Sequence, residues 1–134
     1  MSKNNKKIQK NISEMLQSFH HPDIDGANYQ TYINDLNQYI LSRLTKGAKE
    51  YGNDVPITKK ECNLKNRDNG HEAREELLDT LIYLDAYVQG IPGIGDHKLN
   101  NIQYNITYWT LKFHEYIEQR RIDVQNSKKN VSKK

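Results

Sequence analysis

The sequence predicts an all-α fold, a packing of four amphipathic helices resembling a four-helix bundle. Three observations carry that expectation. Apolar residues recur at spacings of three and four in four separate segments. No segment alternates apolar and polar residues long enough to make a strand, and the three prolines all fall between the periodic segments. With 134 residues the chain has the length of one domain, and pairing between bundles is expected because the stripes are broad and so short a chain buries only roughly two thirds of its unfolded surface.

The first helix is expected over Lys6 to Phe19, where Ile8, Ile12, Met15 and Phe19 fall on one face. His20-His21-Pro22 ends it, because a residue preceding proline avoids the helical region. Asp23-Ile24-Asp25-Gly26 reads as a turn. It is not a calcium loop, since Asn34 stands where the loop needs a glutamate and Ala27 occupies its fifth position. The second helix is expected over Tyr29 to Tyr51, with the stripe Ile33, Leu36, Ile40, Leu44, Ala48 and with Gly52 as its stop. Residues 53–69 read as a long polar loop, of a length that is usually functional or disordered. The third helix spans His71 to Gln89, with Asn69 as expected N-cap and Glu72 completing a capping box. Its stripe is Leu77, Leu81, Leu84 and Val88, widened by Leu78 and Ile82. Glycines and a proline over residues 90–95 stop it. The fourth helix is expected from Leu99 to Asp123, with Ile102, Ile106, Trp109, Phe113 and Ile117 in register.

The formal net charge of +3 is unevenly placed. Residues 1–10 and 127–134 hold four lysines each and no acid, and read as solvated, disordered tails. The span 11–126, read as the single folded domain, holds all 17 acidic residues and 12 basic ones, a net charge of −5. A nucleic-acid partner is therefore not expected, because only the tails would serve it. Mean hydropathy is −0.97 and no apolar run suits a membrane span or a signal segment, so an intracellular, cytoplasmic protein is expected. Cys62 stands alone and can build neither an internal disulfide nor a thiolate metal site. The five histidines show no metal-ligand spacing; His71, which opens the third helix, is the one nearest to candidate chemistry.

That chemistry lies in the third helix. Glu72, Glu76, Asp79 and Tyr83 stack at spacings of four, three and four, with Glu75 bordering the row. Carboxylates this close repel unless a cation lies between them, and hard oxygen ligands on one face suit Mg²⁺ or Mn²⁺. The helix dipole is reason enough for Glu72 in the first turn. It does not explain Asp79, which lies deep in the helix among Leu78, Leu81 and Ile82. On the second helix Arg43, Lys46 and Glu50 share a face before Tyr51 and Gly52. A basic pair there could hold phosphates, though a solvated face with a Lys46–Glu50 pair is the plainer reading.

Together, Arg43-x-x-Lys46-Gly47-x-x-x-Tyr51-Gly52 and Glu75-Glu76-Leu77-Leu78-Asp79-x-x-x-Tyr83-Leu84 resemble small phage-type members of the MazG-like, all-α nucleoside triphosphate pyrophosphohydrolase superfamily. The resemblance covers about residues 40–88. It implies a helical core assembled as a dimer or dimer of dimers, and Mg²⁺-dependent cleavage of a nucleotide between its α and β phosphates. It assigns metal to Glu76 and Asp79, with Glu50 and Glu72 as further candidates, and catalysis to Glu75, Glu76 and Asp79. Arg43, Lys46, Tyr51 and Tyr83 become substrate contacts. The family's first E-x-x-E pair is imperfect here, since Glu50 is followed by Asn53; Glu61 and Glu72 are the possible substitutes. A protein that binds a nucleotide without cleaving it is the alternative on the same scaffold.

Overall fold

Each periodic segment of the sequence is helical. The computed structural model describes residues 2–19, 21–22, 24, 26–51, 54–91 and 97–132, the side chains of 48–51 and 130–132 excepted. Five helices occur in chain order: α1 Lys3–Ser18, α2 Tyr29–Tyr51, α3 Lys59–Leu64, α4 Asn69–Gln89 and α5 His97–Ser132. Among the described residues there is no strand. The chain divides into two compact units, Met1–Arg67 and Asp68–Lys134.

In the first unit α1 packs on α2. Ile33 on α2 is 2% exposed, and Ile8, Ile12 and Leu16 of α1 are half-buried, as are Ile40 and Leu44 of α2. The Tyr29 hydroxyl donates to the Leu16 carbonyl (2.6 Å) and also meets the Phe19 carbonyl, so the start of α2 satisfies the frayed end of α1. Leu36, expected in the α2 stripe, is instead 45% exposed, and Asn37 takes the inward place beside Ile33.

Lys3 to Lys10, expected as a solvated tail, form the first half of α1. The physical reason is a cap supplied from far along the chain. Ser2 occupies the N-cap position, but its hydroxyl donates to the Asp54 carboxylate rather than capping α1. That carboxylate accepts the backbone N–H groups of Asn4 and Asn5, each at 2.9 Å. It thereby does the work of an N-cap. The Asn4 side chain donates to the Val55 carbonyl (2.9 Å) and to Glu61 Oε2 (2.7 Å), while Asn5 Oδ1 accepts from Val55 N–H (3.2 Å). Asn5 ends 1% exposed.

The stretch 53–69, expected as an open loop, contains α3. Thr58 and Glu61 close a reciprocal capping box at its start. At its end Asn66 adopts φ 50°, with Arg67 N–H bonded to the Cys62 carbonyl (2.9 Å) and Asn66 N–H to that of Asn63 (3.2 Å). This is the left-handed helix stop that asparagine tolerates better than most residues.

The second unit is an antiparallel helical hairpin. Gly70 near the start of α4 lies against Ile117, and Arg74, one turn on, meets His114 and Glu118. A Cβ on Gly70 would stand 2.6 Å from Ile117 Cδ1, so this close approach depends on glycine. The expected α4 stripe, Leu77, Leu81, Leu84 and Val88, is half-buried along the seam; Leu78 and Ile82 are 44% and 64% exposed. On α5 the seam carries Ile106, Thr110, Phe113 and Ile117, whereas Ile102 and Trp109 point outward at 49% and 63% exposure. Residues 127–132, expected as tail, continue α5. No described helix is long and apolar enough to cross a membrane.

Candidate functional site

Asp68, one residue before the expected cap, accepts the His71 N–H (3.1 Å) and starts α4, with Asn69 as its first residue. The helix that follows presents Glu72, Glu75, Glu76, Asp79 and Tyr83 as exposed side chains, Tyr83 at 73%. On the helical period the row Glu72, Glu76, Asp79, Tyr83 lies on the side of α4 away from the seam. Glu75 is 3.9 Å from His71 Nε2. Glu72, Glu76 and Asp79 form no ion pair with any described residue.

Neighbouring carboxylates at this spacing, about 5–6 Å apart at Cβ, offer a cation two hard oxygen donors from one helical turn. Among the described residues no group of three or more His, Cys, Asp or Glu side chains is arranged to hold a metal ion. The donors do fit Mg²⁺ in the manner it ordinarily uses, with one or two carboxylates completed by substrate phosphates and water. Glu76 and Asp79 would hold it.

On α2, Arg43 and Lys46 are exposed, and Lys46 borders a shallow groove with Gln38, Leu41, Ser42 and Thr45, about 360 Å³ in volume. Glu50 and Tyr51 close α2, but their side chains lie outside the described residues, as does Asn53. Glu61, considered as a substitute for the missing first acidic pair, is committed to α3 and to Asn4. The Thr58 and Asn4 side chains hold its carboxyl below the ordinary glutamate range, outweighing the opposing effects of burial and of Asp54. Asp54 is likewise lowered. Burial pushes it up, but the Ser2 hydroxyl, the Asn4 and Asn5 N–H groups and the Lys65 charge together pull it further down.

No family model matches this chain, and comparison with curated proteins and with solved structures returned no match. Any functional reading therefore rests on its own residues.

One cluster escapes inspection of the sequence. Arg74 NH1 lies 3.2 Å from both Glu118 Oε1 and His114 Nδ1, and its NH2 lies 3.4 Å from His71 Nδ1. Arg121 grips the other Glu118 oxygen at 3.0 Å. Those Arg121 and Arg74 bonds hold Glu118 below the ordinary glutamate range against the effect of its burial. The clasp pins the first turns of α4 on the seam side, opposite the carboxylate row. The links from Arg74 to His114 and Glu118 span 40 and 44 residues of chain, and no local pattern announces them.

Proposed function

We propose that this protein binds a nucleoside triphosphate or related nucleotide with Mg²⁺ and hydrolyses it to a monophosphate and pyrophosphate. One observation carries the reading: Glu72, Glu76 and Asp79 share a face of α4 and are balanced by no described cationic side chain. Their mutual repulsion makes that face receptive to a cation, and the resemblance of Glu75-Glu76-Leu77-Leu78-Asp79 supplies the nucleotide.

Mg²⁺, when bound, polarises the α-phosphate and acidifies a water molecule. Glu76 and Asp79 hold the ion. Glu75 takes the proton of the attacking water as the bond between the α-phosphorus and the bridging oxygen breaks. Arg43 and Lys46 are assigned phosphate charge by the same resemblance, and Tyr51 and Tyr83 the nucleoside. A MazG-like core assembled from two or four copies belongs to this proposal.

The test is a panel of ribo- and deoxyribonucleoside triphosphates with Mg²⁺ or Mn²⁺, scored for pyrophosphate and monophosphate beside Asp79→Asn. Pyrophosphate from the wild type alone supports the enzyme. Equal turnover in Asp79→Asn refutes the site.

A second reading, a protein that sequesters a nucleotide uncleaved, is favoured by Asn53 standing where a second carboxylate would follow Glu50. It predicts a thermal midpoint raised by nucleotide with no product formed.

A further inference from the structure

Beside the seam of the second unit, on a different side of α4 from the carboxylates, a groove of about 700 Å³ runs along α5. Leu77 and Phe113 form its floor; Trp109 and Tyr116 stand over it two turns apart, about 10 Å along the helix. Lys112 and Glu115 form its rim, paired at 3.3 Å. Trp109 is 63% and Tyr116 57% exposed, a large outlay of aromatic surface to water. Tyr108 holds the Trp109 ring edge-on, with centroids 5.1 Å apart and planes at 82°.

We infer that this groove binds a small planar aromatic molecule bearing an anionic group. Its volume falls in the range of small-molecule sites, and a stable protein partner needs about 20–30 residues a side, far more than line it. Aromatic walls over an apolar floor suit a ring, which they stack against or meet edge-to-face. The charge follows from Lys112. Its side chain is half exposed and, among the described residues, ion-paired with Glu115 alone, whose own side chain is 72% exposed and easily displaced. An anionic substituent takes the place of Glu115 on Lys112 while the ring covers Leu77 and Phe113. The site is independent of the nucleotide reading, so either stands if the other fails.

Trp109 is the only tryptophan of the chain, so its emission reports this groove alone. The experiment titrates the full chain with 1-anilinonaphthalene-8-sulfonate, following quenching of Trp109, and repeats it with neutral N-phenyl-1-naphthylamine. The sulfonate is expected to saturate at one molecule per chain. Tyr116→Ala weakens it about tenfold, as does Lys112→Met, while the neutral probe is insensitive to Lys112→Met. Glu115→Gln, which removes the competing carboxylate, tightens the sulfonate severalfold, a gain that misfolding does not produce. Helical content and thermal midpoint, unchanged in each variant, confirm the fold. Quenching that never saturates, or that ignores all three substitutions, overturns the inference. So does a Trp109 emission that shifts on simple dilution without probe, which would assign the groove to a second copy.

Discussion

Ile33 is the one hydrophobic side chain among the described residues that is essentially removed from water, at 2% exposure. Truncating it should cost the first unit more than any other apolar change there. Ile33→Ala is expected to destabilise by about 3 kcal/mol, the usual range for a buried isoleucine, measured by denaturant unfolding. A loss well under 1 kcal/mol would mean that α1 and α2 do not close over it. Asp79→Asn makes the opposite case. Asp79 is exposed, so the substitution should leave stability within about 0.5 kcal/mol and cut pyrophosphate release at least about a hundredfold. Helices α2 and α5 show how far side-chain placement is legible. From Ile33, steps of three and four both return to the same face, so periodicity names Leu36 and Asn37 equally and hydrophobicity chooses Leu36. The structure turns Asn37 inward and leaves its Oδ1 without a hydrogen-bond partner among the described residues. On α5 the same ambiguity falls between Trp109 and Thr110, and the smaller residue is the one buried, at 6% exposure.

Helix boundaries depend on caps, and caps are legible only when they are local. Thr58-x-x-Glu61 is a local capping box, but no apolar stripe follows it to mark a helix, since α3 has only six residues. Asp54 is different: nothing in a sequence tells an aspartate which helix 50 residues away it will cap. That contact decides whether Lys3 to Lys10 is helix or tail. Asp54→Ala should therefore fray the first turns of α1, at a cost of about 1 kcal/mol, seen as faster amide exchange from Asn4 onward. Its acid response has a definite sign. A carboxyl lowered by folding contributes stability that is fully present above the ordinary aspartate range and is lost as pH falls through its depressed value. Between about pH 5 and pH 2 the wild type should lose thermal midpoint more steeply than Asp54→Ala. Parallel acid limbs in the two proteins would remove Asp54 from the account.

Few side chains in either unit are fully withdrawn from water, and the balance of apolar surface shows it. Against one buried hydrophobic among the described residues stand large apolar side chains left open on every long helix, from Met15 on α1 to Leu111 and Tyr116 on α5. A hairpin of two helices can bury only one stripe of each, yet α4 carries a second, Leu78 and Ile82, beside the stripe that meets α5. Patches of this kind on a short chain are ordinarily covered by another molecule. A second copy is the occupant we propose. The chain holds 20 basic and 17 acidic residues, so two copies related by a twofold can oppose unlike charges while covering like apolar faces. Sedimentation equilibrium should find a mass near twice 15.7 kDa as concentration rises. Leu78→Asp with Ile82→Asp should return the monomer mass, since a charge on each face leaves both unable to desolvate. Because the Trp109 groove belongs to another part of the surface, Tyr116→Ala should leave the association constant unchanged. A single-chain mass at every concentration would refute association, and the exposed stripe of α4 would then stand in water as it is.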